Sequence, residues 1–304
     1  MNFQHTYPIV TSIIINSGHQ TDILECLASL FRGSYPNNKV IVLDYHLANE
    51  SLNAIREIYP DVQVVELEKN LGYAGNNNVG IDIALEQGAE WIFILNDDVV
   101  LDPGCLTELM AIGENDPEIG VVGPLVYHHD EPNVIQSAGG LLGNYWQSQH
   151  LGKNELDHGQ YIDPHHVEWI SGCAIMVRGK AIELAGMLDQ NYFMYWEETE
   201  WCIRIRRVGW KVMHVPQAKI WHKGVRRNYQ PTPSFTYYGT RNHLLTLSKH
   251  KAPLHAKIFT WMQLVRTMVS WSIKPKWLHK REHRDAMWKA LVDFLLHRWG
   301  PINF

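Results

Sequence analysis

Over the first 125 residues, short apolar runs rich in β-branched side chains alternate with apolar residues at helical spacing. This alternation narrows the fold more than any other feature. The run Ile9–Ile15 (IVTSIII) reads as a buried strand, because unbroken apolarity suits a strand covered on both faces. Ile23, Leu24, Leu27, Leu30 and Phe31 follow at helical spacing, with Gly33 just beyond them. Val40–Leu43 reads as the second strand and 49–60 as a helix stopped by Pro60. Val62–Leu67 is the third strand, Asn77–Gln87 a helix ended by Gly88, and Trp91–Leu95 the fourth strand. Leu106–Ile112 is helical, and Gly120–Gly123 is a short fifth strand. Such a series predicts an α/β fold, a mostly parallel sheet flanked by helices on both faces.

From Pro124 to His166 the pattern gives way to Gly, Asn, His and aromatic residues, an extended loop region. Glu168–Val177 reads as a strand, Glu197–Val208 as a helix ended by Gly209, and Lys211–Val215 as a short strand closed by Pro216. Tyr237–Lys249 reads as a helix. Residues 253–271 and 284–298 read as amphipathic helices joined by the basic segment Lys274–Arg281. A chain of 304 residues, 45% hydrophobic and 19% charged, is globular rather than disordered, collagenous or coiled coil. Its four cysteines are far apart and form no CxxC pair, which argues against a disulfide framework or structural zinc and for a reducing compartment. No signal-peptide pattern opens the chain and no run of about 18 apolar residues occurs, so a cytoplasmic, non-spanning protein is expected.

Charge is uneven. Residues 249–304 hold 11 Lys/Arg against Glu282, Asp285 and Asp293, a balance of +8, whereas the whole chain is at -5. Five of the 12 tryptophans lie in this basic tail. The tail is expected to meet an anionic membrane surface at the inner face of the cell membrane, or to pack on the core or against a second copy of the chain. No nucleic-acid partner is expected.

In an open parallel sheet, ligands bind beyond the carboxyl ends of the strands. Asn16 follows the first strand, Asp44 ends the second, Asn70 follows the third, and Asn96, Asp97 and Asp98 follow the fourth. Two adjacent carboxylates at that edge repel unless a cation or donors sit between them, and their oxygens suit Mg²⁺ or Mn²⁺; the alternative is a helix-capping loop leading to Asp102-Pro103. The run Asn70–Gly80 (NLGYAGNNNVG) is a Gly/Asn-rich turn whose backbone and amides suit a ribose or phosphate, although it lacks GxGxxG and the Walker GK[ST]. A second acidic cluster, Glu197, Glu198 and Glu200, follows the aromatic run Tyr192–Trp196. Acids there complement the helix dipole, and Glu200 is spaced to pair with Arg204, a surface-type pair expected to contribute no more than about 0.5 kcal/mol. A carboxylate beside aromatic rings is partly desolvated, which raises its pKa and suits general-base work.

With these elements in order, the chain resembles the inverting family 2 glycosyltransferases of GT-A fold, in particular their rhamnosyltransferase-like branch. The resemblance runs from about Ile9 to Lys249. It rests on Asn70–Gly80, on Leu95–Pro103 (LNDDVVLDP), on Ile170–Ala174 (ISGCA), on Gly186–Asp189 leading to Phe193–Glu200 (FMYWEETE), on Gly209-Trp210 with Pro216, on His222, and on Tyr237–Asn242 (YYGTRN). It implies a domain over 1–248, with a nucleotide-binding half 1–125 and an acceptor half 126–248, and a helical extension over 249–304. Carried over by position, Asn96-Asp97-Asp98 resembles the DXD-type motif, with Asp98 as the metal contact and His222 completing the site. Asp44 resembles the acid that recognises the base. Glu198 matches the catalytic base, and the 169–172 loop resembles a segment lining the donor and acceptor pocket.

The implied nucleotide-sugar contacts are thus Asn16, Asp44, Asn70, Gly75, Asn77, Asp97 and Gly172. The implied acceptor contacts are Trp169, Trp196 and Glu197. The chain departs from the pattern where Asn96 replaces the first acid, where Glu198 stands in place of the commoner Asp, and where Tyr45-His46-Leu47 follows the base-binding acid. The implied reaction moves a sugar from a nucleotide diphosphate (dTDP-rhamnose or a UDP-sugar), with a divalent metal, to a hydroxyl of a saccharide or lipid-linked saccharide in cell-surface polysaccharide synthesis. The competing readings are a sugar-nucleotide pyrophosphorylase, which needs a basic Gly-rich loop where Asn16–Gln20 stands, and a non-catalytic membrane- or polysaccharide-binding protein.

Overall fold

Six of the seven residues of β1 (Val10–Asn16) are buried, as an unbroken β-branched run requires of a central strand. The computed structural model describes residues 7–45, 49–224 and 226–302, so His46 and Leu47 lie outside the described residues. After β1 come α1 (Gln20–Phe31), β2 (Asn38–Asp44), α2 (Asn49–Ile58), β3 (Gln63–Glu66), α3 (Gly72–Glu86) and β4 (Trp91–Asn96). Next are β5 (Val99–Leu101), α4 (Cys105–Asn115), β6 (Ile119–His128), β7 (Ile135–Ser137), β8 (Gly140–Leu142), β9 (Ser148–His150) and β10 (His165–His166). The chain continues through β11 (Ala174–Arg178), α5 (Gly179–Ala185), α6 (Glu197–Arg207), β12 (Lys211–His222), α7 (Pro233–Lys249), α8 (Leu254–Ile273) and α9 (Arg281–Leu295). A 3₁₀ turn over Pro275–Lys280 joins the last two.

The main sheet runs β10-β12-β6-β11-β4-β1-β2-β3, with β5 added to β12 and β7 to β6. β3, β2, β1 and β4 are mutually parallel. β11 is antiparallel to both β4 and β6, while β6 and β12 run parallel. Between β12 and β3 one strand, β11, is reversed, and β10, β5 and β7 are antiparallel additions at the margin of the β12–β6 end. The carboxyl ends of β1, β2, β4, β6 and β12 then share an edge with the beginning of β11.

Side chains alternate across the sheet, so Ile13 and Ile14 enter different cores. Ile14 packs with Leu27, Leu52, Leu106 and Met176, under α1, α2 and α4. Ile13 packs with Ile81, Ile94, Ala181 and Trp201, under α3, α5 and α6. The C-terminal helices attach through α7: Tyr237 and Tyr238 pack on Ala286 and Ala290 of α9, and Tyr237 Oη donates to Asp293 Oδ2 at 2.7 Å.

Several boundaries differ from the sequence pattern. The fifth strand is the ten-residue β6, and the expected loop over 124–166 holds the rest of it and four short strands, because Gly, His and aromatic residues dilute the alternation. β12 continues past Pro216 to His222, with a register shift between Val215 and Lys219 that absorbs the missing N–H. The helix predicted from Asn77 begins at Gly72, so the Gly/Asn-rich run is its first turns and not a loop. The strand predicted from Glu168 begins only at Ala174, and β5 and α5 had no clear periodic signal.

Asn78 ties α3 to the turn before α6. Its Nδ2 donates to Leu188 O at 2.8 Å and its Oδ1 accepts from Leu188 N at 3.1 Å, both buried. Replacing it strands two buried backbone groups, each costing about 1–3 kcal/mol. Urea unfolding of Asn78→Ala is expected to show a loss of at least about 2 kcal/mol at unchanged slope; a loss below about 0.5 kcal/mol would show that the amide is not holding this turn.

Candidate active site

The shared edge gathers two acidic groups from distant parts of the chain. At the end of β1, buried Asn16 donates from Nδ2 to Asp44 Oδ1 at 3.4 Å and accepts from Gly18 N at 3.1 Å. Asp97 Oδ2 accepts from both the backbone N and the hydroxyl of Ser17 at 2.6 Å. Burial pushes the Asp97 carboxyl up in spite of these donors, and the neighbouring Asp98 charge adds to the rise. The first acids of the edge are thus tied to the loop after β1.

Asp98 faces β12. Its Oδ1 lies 3.2 Å from Nε2 of His222, the last residue of that strand. Burial acts to raise the Asp98 carboxyl, but the bond and charge of His222, with Lys223, hold it below the usual range. His222 Nδ1 lies 3.1 Å from Gln136 Oε1 on β7, and Asn96 Nδ2 lies 3.4 Å from His222 Nε2. Nδ1 thus faces an acceptor, while Nε2 faces both the Asp98 carboxylate and the Asn96 amide, so a proton on Nε2 bonds Asp98 and its loss leaves a lone pair there. A divalent cation between Nε2 and the Asp98 carboxylate would take the place of that proton. Gly224 keeps the space open, since a Cβ there would overlap Asp98 Oδ2 and come 3.4 Å from His222 Nε2. The donor set therefore fits a divalent cation with two protein ligands. Among the described residues no third His, Cys, Asp or Glu joins them.

The second acidic group opens α6. Tyr195 (φ 66°) and Trp196 (φ 78°) both adopt left-handed backbone before Glu197. Such conformations cost of order 1–3 kcal/mol each for residues with side chains and persist only where the surroundings impose them. Here buried Asn242 of α7 imposes them: its Nδ2 donates to Met194 O at 2.9 Å and Tyr195 O at 2.8 Å, while Arg241 Nε holds its Oδ1 at 3.0 Å. From the other side, Tyr73 N donates to Phe193 O at 2.8 Å, and any side chain at Gly72 (φ 78°) would overlap Phe193. Tyr73 Oη also donates to Gly172 O, and a Cβ on Gly172 would lie 3.7 Å from Glu198 Cβ.

The three glutamates of this turn differ in environment. Glu198 is partly exposed, and burial of its carboxyl pushes its pKa up to about 7. Glu197 is buried and pushed well above the usual range, by burial first and by the Glu198 charge second. Glu200 is fully buried but bonded to Arg204 through both oxygens at 3.0 Å, to His250 at 3.0 Å and to Lys249 at 2.8 Å. Burial acts to raise the Glu200 carboxyl, but His250, Arg204 and Lys249 together hold it at about 2. The pairing with Arg204 is present, yet it belongs to a buried network and not to the exposed helix pair expected from spacing.

Other predicted site residues have structural uses. Trp169 is 2% exposed, its ring against Gly140 and edge-on to His150, so it belongs to the core and not to an acceptor pocket. Asn70 Oδ1 closes a turn on Gly72 N at 2.8 Å and takes Asn76 Nδ2 at 3.1 Å. Gly75 is buried against Leu71, and buried Asn77 donates to Tyr73 O at 3.0 Å within α3. Trp196 stacks on His243 at 4.6 Å. Sequence reasoning passed over Ser17, Gln136, Gly224 and Asn242. Asn242 ends a run singled out for its resemblance, but nothing local marks Gln136.

An open, mostly parallel sheet with helices on both faces and two acidic groups at its carboxyl edge defines a glycosyltransferase of GT-A fold. Residues 12–182 match the model of glycosyl transferase family 2, more than half of the chain, and the protein belongs to that family. It is 26% identical over 253 residues to the N-acetylglucosaminyl-diphospho-decaprenol L-rhamnosyltransferase of Mycobacterium tuberculosis, covering 75% of this chain and 82% of that one. It is 25% identical over 233 residues to the dTDP-rhamnosyl transferase RfbF of Shigella flexneri, covering 72% and 73%. The mannosyltransferase PcManGT from Pyrobaculum calidifontis, solved with GDP-Man and Mn²⁺, superposes with a TM-score of 0.61 at 16% identity, covering 97% of this chain and 89% of that one. GalNAc-T7, solved with UDP, GalNAc and Mn²⁺, gives 0.67 at 14% identity, covering 97% and 58%. At these identities the two structures share the fold.

Glu200→Gln removes the partner of two cations, Arg204 and Lys249, and of the His250 ring. Loss of one member of a buried pair costs about 3–5 kcal/mol, less here because Arg204 and Lys249 keep some solvent. A loss of about 2–4 kcal/mol in urea is expected, and a loss under 0.5 kcal/mol would restore the surface-pair reading. Because the folded carboxyl at about 2 lies below its ordinary 4.5, Glu200 contributes its stability above pH 4.5 and loses it as pH falls toward 2. Gln at this position should remove that part of the acid sensitivity.

Proposed function

We propose that the protein is an inverting glycosyltransferase that moves rhamnose from a dTDP donor to a hydroxyl of a lipid-linked saccharide, in cell-surface polysaccharide synthesis. The observation that carries this reading is the pairing, on one sheet edge, of a cation-fitting Asp98–His222 site with a glutamate whose pKa lies near 7. The names of the two rhamnosyltransferase relatives support the sugar and the lipid-linked acceptor. Catalysis is assigned to residues 1–248, with the nucleotide half over 1–125, the acceptor half over 126–248, and 249–304 as a helical extension. No helix among the described residues is long and apolar enough to cross a membrane, and the basic extension supports a peripheral place at the inner face of the membrane.

Glu198, as carboxylate, takes the proton of the acceptor hydroxyl. The acceptor oxygen then bonds to the anomeric carbon from the side opposite the diphosphate, the old C–O bond breaks, and the electron pair leaves with the nucleotide diphosphate. Asp98 and His222 would hold Mg²⁺ or Mn²⁺, whose charge stabilises the leaving diphosphate. Asp44 and Asn16 are placed to recognise the base, and Asp97 with Ser17 fixes the loop beneath the diphosphate. Asn70, Gly75 and Asn77 act by shaping the start of α3 beside the donor. Gly172 leaves room for sugar next to Glu198. Glu197 and Trp196 set the direction of Glu198 and border the acceptor.

Glu198→Gln is expected to lower turnover by about 10²–10⁴-fold with donor binding nearly unchanged. Retention of more than a tenth of the activity, with Glu197→Gln abolishing it, would move the base to Glu197. With the folded pKa at about 7, the rate should rise through that pH as Glu198 deprotonates; a flat profile between pH 5.5 and 8.5 would contradict this role. The same group binds more protons folded than unfolded between pH 4.5 and 7, so it lowers stability as pH rises through that window. For the metal, dTDP or UDP should raise the melting temperature only with Mg²⁺ or Mn²⁺, and Asp98→Ala should remove that dependence. Equal stabilisation in EDTA would remove the metal from the reading.

A further inference from the structure

A second groove opens between α7, the end of α8 and the start of α9, apart from the acidic edge. Its volume is about 320 Å³, and Phe235, Thr236, Gly239, Trp271, Lys280 and His283 line it. Its polar side is ordered: Thr236 Oγ1 lies 2.7 Å from His283 Nδ1, and the Trp271 ring stands edge-on to His283 at 6.1 Å. Nothing lies within 4 Å of where a Gly239 Cβ would be, which leaves that wall open. Among the described residues Lys280 makes no ion pair, unlike Lys289, which bonds Asp293 at 3.3 Å.

The groove joins two surfaces of different character. At one end Phe235 packs edge-on against Tyr195 at 4.8 Å, three residues before Glu198. At the other, α8 exposes Leu254, Ile258, Met262, Val265, Val269 and Ile273 along one face. Only Ala256 and Thr260 of that helix are buried. The charged side chains of α8 are Lys257 and Arg266, and Lys274, Lys276, Lys280 and Arg281 follow it. Two copies of so basic a face repel each other, whereas an anionic lipid surface complements both its charge and its apolar stripe.

We propose that this groove binds the diphosphate of a polyprenyl-linked acceptor, with Lys280 and His283 on the phosphate oxygens and the α8 stripe in contact with the lipid tail at an anionic membrane surface. The proposal rests on the lipid-linked acceptor of the preceding section and adds where its head and tail lie. Trp271, at the α8 end, covers the first isoprene units, and Phe235 borders the glycan side. The glycan then points along Tyr195 toward Glu198. The donor's diphosphate belongs to the Asp98 edge, so the enzyme holds two diphosphates at separate sites.

Farnesyl diphosphate serves as the probe, titrated into the full chain and followed by tryptophan fluorescence, with farnesol and inorganic pyrophosphate as controls. Binding about 10-fold tighter than either control is expected, and Lys280→Glu with His283→Ala should weaken it by about 10-fold or more, the loss of charge-assisted contacts. Lys280→Arg should retain it, and dTDP with Mn²⁺ should bind all forms alike. Equal farnesyl diphosphate affinity in wild type and double variant overturns the proposal. If the double variant does not fold, competition in the wild type decides: dTDP should leave farnesyl diphosphate bound, and full displacement places the probe at the donor site and overturns the groove. Val265→Asp should abolish flotation with phosphatidylglycerol vesicles. A wild-type dimer in sedimentation that Val265→Asp dissociates assigns α8 to a second copy and overturns the tail placement. Absence of dTDP-rhamnose and UDP-sugar hydrolysis in the wild type would defeat the transferase reading itself. Hydrolysis without farnesyl diphosphate binding removes only the groove.

Discussion

Reversal of β11 inside the sheet sets the geometry of this enzyme. β11 lies antiparallel between β4 and β6, so its first residues meet the carboxyl ends of the strands around it. A parallel β11 would carry Gly172 to the opposite edge, away from Asp98. With the reversal, the loop before β11 comes beside Glu198 while β4 delivers Asp97 and Asp98 and β12 delivers His222. The backbone ladder holds this arrangement.

The glutamates at the start of α6 depend on a local strain that α7 imposes. Two successive left-handed residues would relax in an isolated peptide, because their side chains crowd the backbone. Asn242 opposes that relaxation by taking two carbonyls with one amide nitrogen, and Arg241, itself bonded to Gly300 O at 3.0 Å, orients the amide. Gly300 thereby supports the turn before Glu198 through two intermediates.

Environment, not identity, divides the work among the carboxylates. Glu200 has two cations and the His250 ring and stays ionised as a structural anion, whereas Glu198, two residues earlier in the same helix, has none of them and is pushed up to about 7 by burial. Asp97 and Asp98 are adjacent in sequence, but one faces hydroxyl and amide donors and the other a histidine, which moves their pKa values in opposite directions. A low-dielectric edge with a few directed partners separates like groups into different roles.

The sequence by itself determined the alternation of strands and helices through Trp91–Asn96, the placement of acids after those strands, and the family resemblance, since each depends on local periodicity or on short runs of fixed spacing. It also marked Glu200 and Arg204 as partners, because four residues separate neighbours on a helix. The tertiary structure alone decided that Trp169 is core, that Asn77 and Gly75 serve α3, and that β12 passes Pro216 to bring His222 to Asp98. Gln136 and Asn242 join the site across 86 and 47 residues or more. Pairings at that separation follow from strand order and helix packing, which local residue patterns do not encode.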